Sequence, residues 1–92
     1  MYLNLKPGKV EDFTKLVNTE ILPTLKQQDG FRNQFTLIDG QRVLGISMWD
    51  NRAHAEKYET AVYPEIMRKL TPFIDGTPKV ERFDVAASTL GA

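Results

Sequence analysis

The spacing of apolar residues predicts four strands and two long helices along the chain. A short strand opens the chain at Met1 to Leu5, with Leu3 and Leu5 on one side. After it, apolar residues recur at the three- and four-residue spacing of an amphipathic helix, at Val10, Phe13, Leu16, Val17, Ile21 and Leu25. Pro23 lies late in this helix, so we expect a kink or a restart near Ile21 to Leu22.

Two strand-like runs, Phe31 to Ile38 and Arg42 to Trp49, are joined around Asp39-Gly40, which is a strong hairpin signal. If Ile38 pairs with Gln41, the side chains of the hairpin divide between two faces. The more apolar face, which we expect to meet the helices, carries Phe31, Phe35, Leu37, Leu44, Ile46 and Met48. The other face, which we expect to be free of helices, carries Arg32, Gln34, Thr36, Val43, Gly45, Ser47 and Trp49.

The remainder of the chain predicts a second broken helix and a last strand. Asp50 is the expected N-cap of this helix, and a second short helix is expected over Pro64 to Leu70 because proline is favoured at a first helical position. Pro78 to Val85 reads as the last strand, with Arg82 on its helix-free side, and we expect 87–92 to fray. The order βαββαβ predicts an α+β, ferredoxin-like domain with a four-stranded antiparallel sheet and both helices on one face.

Composition restricts the function classes. The 92 residues support one domain, 1–92, with a single core. Twelve Lys and Arg balance twelve Asp and Glu, so no net positive field attracts nucleic acid or an anionic membrane. Without cysteine and with one histidine, we expect no metal site, and without a long apolar run or a leader pattern we expect a soluble, cytoplasmic protein.

Three segments carry a family resemblance. They are Lys6 to Phe13 (KPGKVEDF), Asp29 to Arg32 (DGFR) and Trp49 to Tyr58 (WDNRAHAEKY). In this order they resemble the antibiotic-biosynthesis-monooxygenase-like domains of the dimeric α+β barrel superfamily. The resemblance implies a homodimeric α+β barrel in which two sheets pack their helix-free faces together around a small cavity. Members of this family include cofactor-independent oxygenases of polyphenols, quinol-type monooxygenases and haem-degrading enzymes.

Several residues are candidates for holding a small aromatic ligand in such a cavity. Trp49 either stacks on the ligand or anchors the junction between strand and helix. Four neutral polar residues could orient ring oxygens by hydrogen bonds, namely Asn4, Gln34, Thr36 and Ser47.

Charged candidates for chemistry are few. Arg32 and Arg82 could each hold an anionic phenolate or carboxylate, or could form a salt bridge across the dimer or a charge at its rim. His54 could act as a base, or could be a solvated residue in the first turn of the second helix. Haem-degrading relatives place their histidine further along that helix, so we expect no haem.

Two functions follow from this reasoning. The first is cofactor-independent oxygenation of a small aromatic or quinol-like molecule, in which the substrate supplies the electrons and the protein supplies desolvation, orientation and a cation. The alternative is a non-catalytic dimer that binds a small molecule or has a structural role, because no catalytic group stands at mechanistic spacing.

Overall fold

The computed structural model describes residues 1–89 and contains a four-stranded sheet and two interrupted helices. The strands are β1 (Tyr2–Leu5), β2 (Phe31–Asp39), β3 (Arg42–Trp49) and β4 (Ile74–Lys79). The helical segments are α1 (Val10–Leu16), a π-helical turn (Val17–Ile21), α2 (Leu22–Lys26), α3 (Arg52–Ala61), α4 (Tyr63–Leu70) and a 3₁₀ turn (Thr71–Phe73). Residues 90–92, the end of the segment expected to fray, lie outside the described residues; 87–89 form no helix or strand.

The sheet has the order β2-β3-β1-β4 and every neighbouring pair is antiparallel. The predicted α+β class and element order are therefore confirmed, and the topology is compatible with a ferredoxin-like fold. The prediction for the last strand was wrong, because β4 begins at Ile74 beside Leu5 rather than at Pro78. Gly76, with φ +84°, lies inside this strand, where its pairing with β1 shifts register.

Both long helices break at their prolines, as expected. A π-helical turn over Val17–Ile21 precedes a restart at Leu22, with Pro23 in the first turn of α2. Proline has no N–H to donate and its ring crowds the carbonyl four residues earlier, so the regular hydrogen-bond ladder cannot pass through this point. Pro64 occupies the same position in α4.

The core lies between the central strand β1 and the helices. Phe13, Leu5 and Leu25 are the largest fully buried side chains. The remaining buried apolar residues are Leu3, Val17, Ile21, Val43, Ile66, Leu70 and Ile74. The helices contribute most of this set, so the sheet needs to present only a few apolar side chains to them.

The hairpin turn lies one residue later than predicted. Ile38 pairs with Val43 and Asp39 with Arg42, which leaves Gly40 and Gln41 as the two loop residues. Gly40 has φ +62° whereas no non-glycine residue among the described ones has positive φ, the pattern of a type II′ turn. The register moves by two residues, so the predicted grouping of side chains into faces survives over most of the hairpin.

The hairpin face that meets the helices is the opposite one to that predicted. Val43 and Gly45 are buried on the helix side. Phe35, Leu37 and Ile46 are 40–50% exposed on the other side. The prediction gave the more apolar face to the helices, but apolar helix residues already fill that core, and an apolar surface is left on the helix-free face. This surface, hereafter the helix-free face, carries Tyr2, Asn4, Phe35, Leu37, Leu44 and Ile46.

A bulge in β2 explains why Phe31 does not lie on the same side of the sheet as Phe35 and Leu37. Phe31 pairs with Trp49 and Asn33 with Met48, so Arg32 is an extra residue in β2. The bulge turns Phe31 toward the helix side, where its ring meets Trp49 edge-on at a centroid distance of 5.6 Å.

Gly30, at the start of β2, is required by both backbone and space. Its φ is +77°, and a Cβ there would lie 2.2 Å from Asp50 Oδ1 and 2.3 Å from His54 Nδ1. We predict that Gly30→Ala destabilises the protein by about 1–2 kcal/mol for the positive φ and by about 1–3 kcal/mol more for the overlap. Urea unfolding measures the loss.

Gly40→Ala is the matched control for this prediction. Gly40 also has positive φ, but nothing lies within 4 Å of a Cβ built on it. The Gly40→Ala variant should therefore be destabilised only by the strain of the positive φ. Equal destabilisation of the two variants would contradict the predicted overlap at Gly30.

Candidate functional site

An open-sided groove lies on the helix side of the sheet, between the π-helical turn and the edge strand β2. Its volume is about 200 Å³. The lining residues are Thr14, Val17, Asn18, Leu22, Gln34, Thr36 and Ile38. Because π-helical turns inside α-helices are rare and often occur at functional sites, their coincidence with a groove marks this region as the candidate site.

The sheet wall of the groove is formed by a hydrogen-bonded network of neutral side chains, hereafter the Gln34 network. Ser47 Oγ donates to Gln34 Oε1. Gln34 Nε2 donates to Thr36 Oγ1 at 3.3 Å and to the carbonyl of Phe35 at 3.2 Å. Three of the four predicted ligand-orienting residues are thus brought together, although on the helix side and not on the helix-free face where they were predicted.

The lining combines apolar and neutral polar groups. Val17, Leu22 and Ile38 supply apolar surface, whereas Thr14 and the remaining polar residues supply hydroxyl and amide groups. None of the lining residues is acidic or basic. A groove of this composition suits a small uncharged molecule with an apolar ring and a few hydrogen-bonding atoms.

A second depression, of about 210 Å³, lies at the other end of β2 near the start of α3. Its charged side chains are paired: Lys57 Nζ is 2.9 Å from Asp29 Oδ2, and His54 Nδ1 is 2.6 Å from Asp50 Oδ1. The hydrogen bond from His54 holds the pKa of Asp50 below its usual value, and that from Lys57 does the same for Asp29. The charged side chains of this depression are therefore already paired with one another.

The start of α3 corrects one prediction. The N-cap is Asn51 and not Asp50, because the side-chain oxygen of Asn51 accepts a hydrogen bond from the backbone N–H of His54 at 2.9 Å. Asp50 instead contacts the His54 ring, and its own N–H donates to the Gly30 carbonyl. His54 therefore lies in the first turn of α3, as predicted, with a carboxylate partner.

Trp49 lies on the helix side among aromatic residues and not on the helix-free face. Its ring is 4.9 Å from that of Tyr58, and Tyr58 is 6.2 Å from Tyr63. Burial raises the pKa of the Tyr58 phenol far above its usual value, so this hydroxyl stays protonated. Trp49 packs at the junction of β3 and α3, outside the set of residues that line the groove.

The two arginines were predicted on the helix-free face, but Arg82 lies beside α3 and Arg32 lies at the bulge of β2. Arg82 follows the end of β4, and its Nε and Nη2 donate to the Glu59 carboxylate on α3 at 2.6–2.9 Å. Arg32 occupies the bulge, close enough to Asp50 for its charge to lower the pKa of that carboxyl. Neither lines the groove. Of the polar candidates, only Asn4 lies on the helix-free face, exposed beside Arg42.

The helix wall of the groove was not predicted. The first helix contributes three lining residues that are four positions apart in the sequence, namely Thr14, Asn18 and Leu22. In the sequence these residues form a second stripe beside the buried one, and Pro23 predicts the break in the helix that carries them. Nothing in the spacing alone indicates that the break is a π-helical turn.

Neither a metal centre nor a membrane helix occurs in the described part of the chain. Over residues 1–89, no three His, Asp or Glu side chains gather where they could hold a metal ion. The helices within the same range are too short or too polar to cross a bilayer. Comparison of the chain with family models, curated proteins and solved structures finds no match.

The Asp50–His54 pair predicts how stability responds to acid. Because the pKa of Asp50 is lowered in the folded protein, its contribution is present above the ordinary value of 3.8 and is lost as pH falls through the folded value. We predict that Asp50→Asn flattens the fall in unfolding free energy between about pH 5 and pH 2. Urea unfolding at each pH measures this slope.

His54→Gln provides the control for the acid response. It retains the Asp50 carboxyl but removes the group that forms its strongest hydrogen bond. Both variants should therefore flatten the acid limb. Curves parallel to the wild-type curve for both variants would show that the pair does not link protonation to folding.

Proposed function

We propose that this protein binds a small aromatic or quinol-like molecule in the groove between the π-helical turn and β2. The observation that carries the proposal is the groove's lining, in which an oriented network of neutral side chains faces apolar surface with no charged residue. Such a lining favours an uncharged ring that bears oxygen atoms over a nucleotide, a metal or a charged metabolite.

A homodimer is the second part of the proposal. The helix-free face carries several half-exposed apolar side chains, among them Leu37 at 50% exposure. An antiparallel sheet with apolar residues on both faces is stable when a further layer covers the second one. Because the chain resembles dimeric α+β barrels, we propose that a second copy of the chain forms this layer. In this arrangement the apolar faces fill the interface, and each protomer keeps its own groove on its helix side.

Ile46 and Ile38 offer a matched pair of positions for testing the dimer. They are 40% and 39% exposed, and only Ile46 lies on the helix-free face. We predict that Ile46→Lys converts a two-chain species into single chains at micromolar concentration, because two lysines would be buried at the interface, whereas Ile38→Lys leaves the mass unchanged. Analytical ultracentrifugation measures both, and a one-chain mass for the wild type would reject the dimer.

Groove occupancy is tested with a residue of the π-helical turn. Asn18 lines the groove, whereas its exposed neighbour Thr19 does not. We predict that Asn18→Trp fills the groove and weakens the binding of hydroquinones and anthrols by at least about tenfold, whereas Thr19→Trp binds them as the wild type does. Ligand-induced changes in amide NMR signals measure the affinities. Equal affinity in both variants would place the ligand elsewhere.

Oxygenation of the bound molecule is the activity that the resemblance suggests. In this reaction an electron-rich phenol loses its proton to solvent, and the anion passes one electron to dioxygen without a metal or flavin. The phenoxyl radical and superoxide then combine at a ring carbon, and the protonated peroxide loses water to leave a quinone. Because the arginines lie outside the groove's lining, the geometry supports binding more directly than turnover. Oxygen uptake with the same panel separates the two functions. Uptake that Asn18→Trp abolishes and Thr19→Trp retains supports an oxygenase, and binding without uptake supports the non-catalytic alternative.

A further inference from the structure

We propose that the groove selects aromatic molecules that carry a carbonyl oxygen, because the Gln34 network uses the Thr36 hydroxyl as an acceptor and leaves its hydrogen to donate. The inference rests on the proposed function, since it concerns the same groove, and it adds the chemical class of the ligand. It also assigns Thr36 and Asn18 as the residues that form hydrogen bonds with the two ends of the ligand.

The network has a defined direction. The Phe35 carbonyl can only accept, so its hydrogen bond to Gln34 Nε2 fixes which end of the Gln34 amide carries the donors, and Ser47 Oγ donates to the other end, Oε1. Gln34 Nε2 then donates to Thr36 Oγ1. The hydroxyl of Thr36 thus accepts within the network and retains its own hydrogen. Over the described residues, no hydrogen bond uses that hydrogen, and Thr36 lines the groove.

The network joins the two strands of the hairpin. Gln34 and Thr36 lie on β2, whereas Ser47 lies on β3. Thr36 pairs with Gly45 across the hairpin, and a Cβ on Gly45 would lie 3.4 Å from Gln34 Nε2, in ordinary van der Waals contact.

The helix wall of the groove offers a hydrogen-bond acceptor. Asn18 Nδ2 donates to the carbonyl of Thr14 at 3.1 Å, which fixes the orientation of that amide as well. Asn18 Oδ1 is then an acceptor on this wall, beside the Thr14 hydroxyl, which can donate or accept. Thr14 and Asn18 both line the groove. A ring with a carbonyl toward Thr36 and a hydroxyl toward Asn18 would satisfy both walls, so the preferred class is a hydroxyaryl ketone or a partly oxidised quinol.

Four molecules of similar size test this assignment: 4-hydroxyacetophenone, acetophenone, 4-ethylphenol and ethylbenzene. For the wild type we expect the strongest binding for the first, intermediate binding for the two molecules with one oxygen, and the weakest for ethylbenzene. Each well-formed hydrogen bond should change the dissociation constant by about three- to tenfold. Amide NMR titration of the intact chain measures all four.

Different substitutions test the Thr36 hydroxyl and the Gln34 network that orients it. Thr36→Val keeps the shape but removes the hydroxyl, and it should weaken only the two ketones. Thr36→Ser should restore them. In Gln34→Glu the introduced carboxylate accepts the Thr36 hydrogen, so the preference for ketones over 4-ethylphenol should disappear although Thr36 is intact. Asn18→Leu should weaken only the two phenols.

The outcomes distinguish this inference from the proposed function. If the ketones bind the wild type no better than ethylbenzene, or if Thr36→Val weakens all four molecules equally, the donor assignment is overturned while the groove remains a binding site. If none of the four binds and none of the hydroquinones or anthrols binds, the proposed function itself fails.

Discussion

The packing of the helices onto the central strand β1 is the constraint on which the rest of the structure depends. Leu3 and Leu5 are almost completely buried against residues such as Phe13 and Leu25. Most of the hydrophobic free energy of such a small domain comes from one layer of this kind. Once this face of β1 is fixed by burial, the two-residue periodicity of the sheet determines the side on which the residues of β3 and β2 lie, up to the bulge at Arg32.

Much of this arrangement could be predicted, because it follows from local rules. The proline positions located both helix breaks, and the hairpin glycine located the turn to within one residue. The face assignment failed because the number of apolar residues on a face does not reveal which layer covers it. Val43 and Gly45 suffice on the helix side, so the larger apolar set is left for the other. The Arg32 bulge could not be predicted either, because it depends on how Phe31 and Trp49 pack.

The candidate site was predicted in its composition but not in its place. Gln34, Thr36 and Ser47 were recognised as neutral hydrogen-bonding residues on one face of the hairpin, and they do form one network. Their location on the helix side makes the groove a property of a single protomer. The proposed dimer interface and the proposed binding site therefore lie on opposite faces of the sheet, and a ligand in one does not need the other to form it.

The π-helical turn has a consequence for how this groove could change over evolution. A π turn holds one more residue than the α turn it replaces, and two residues of this turn, Val17 and Asn18, line the groove. Losing a single residue there would tighten the helix and narrow the groove. Related chains could thus gain or lose a ligand site through one insertion or deletion, without altering the residues that line it.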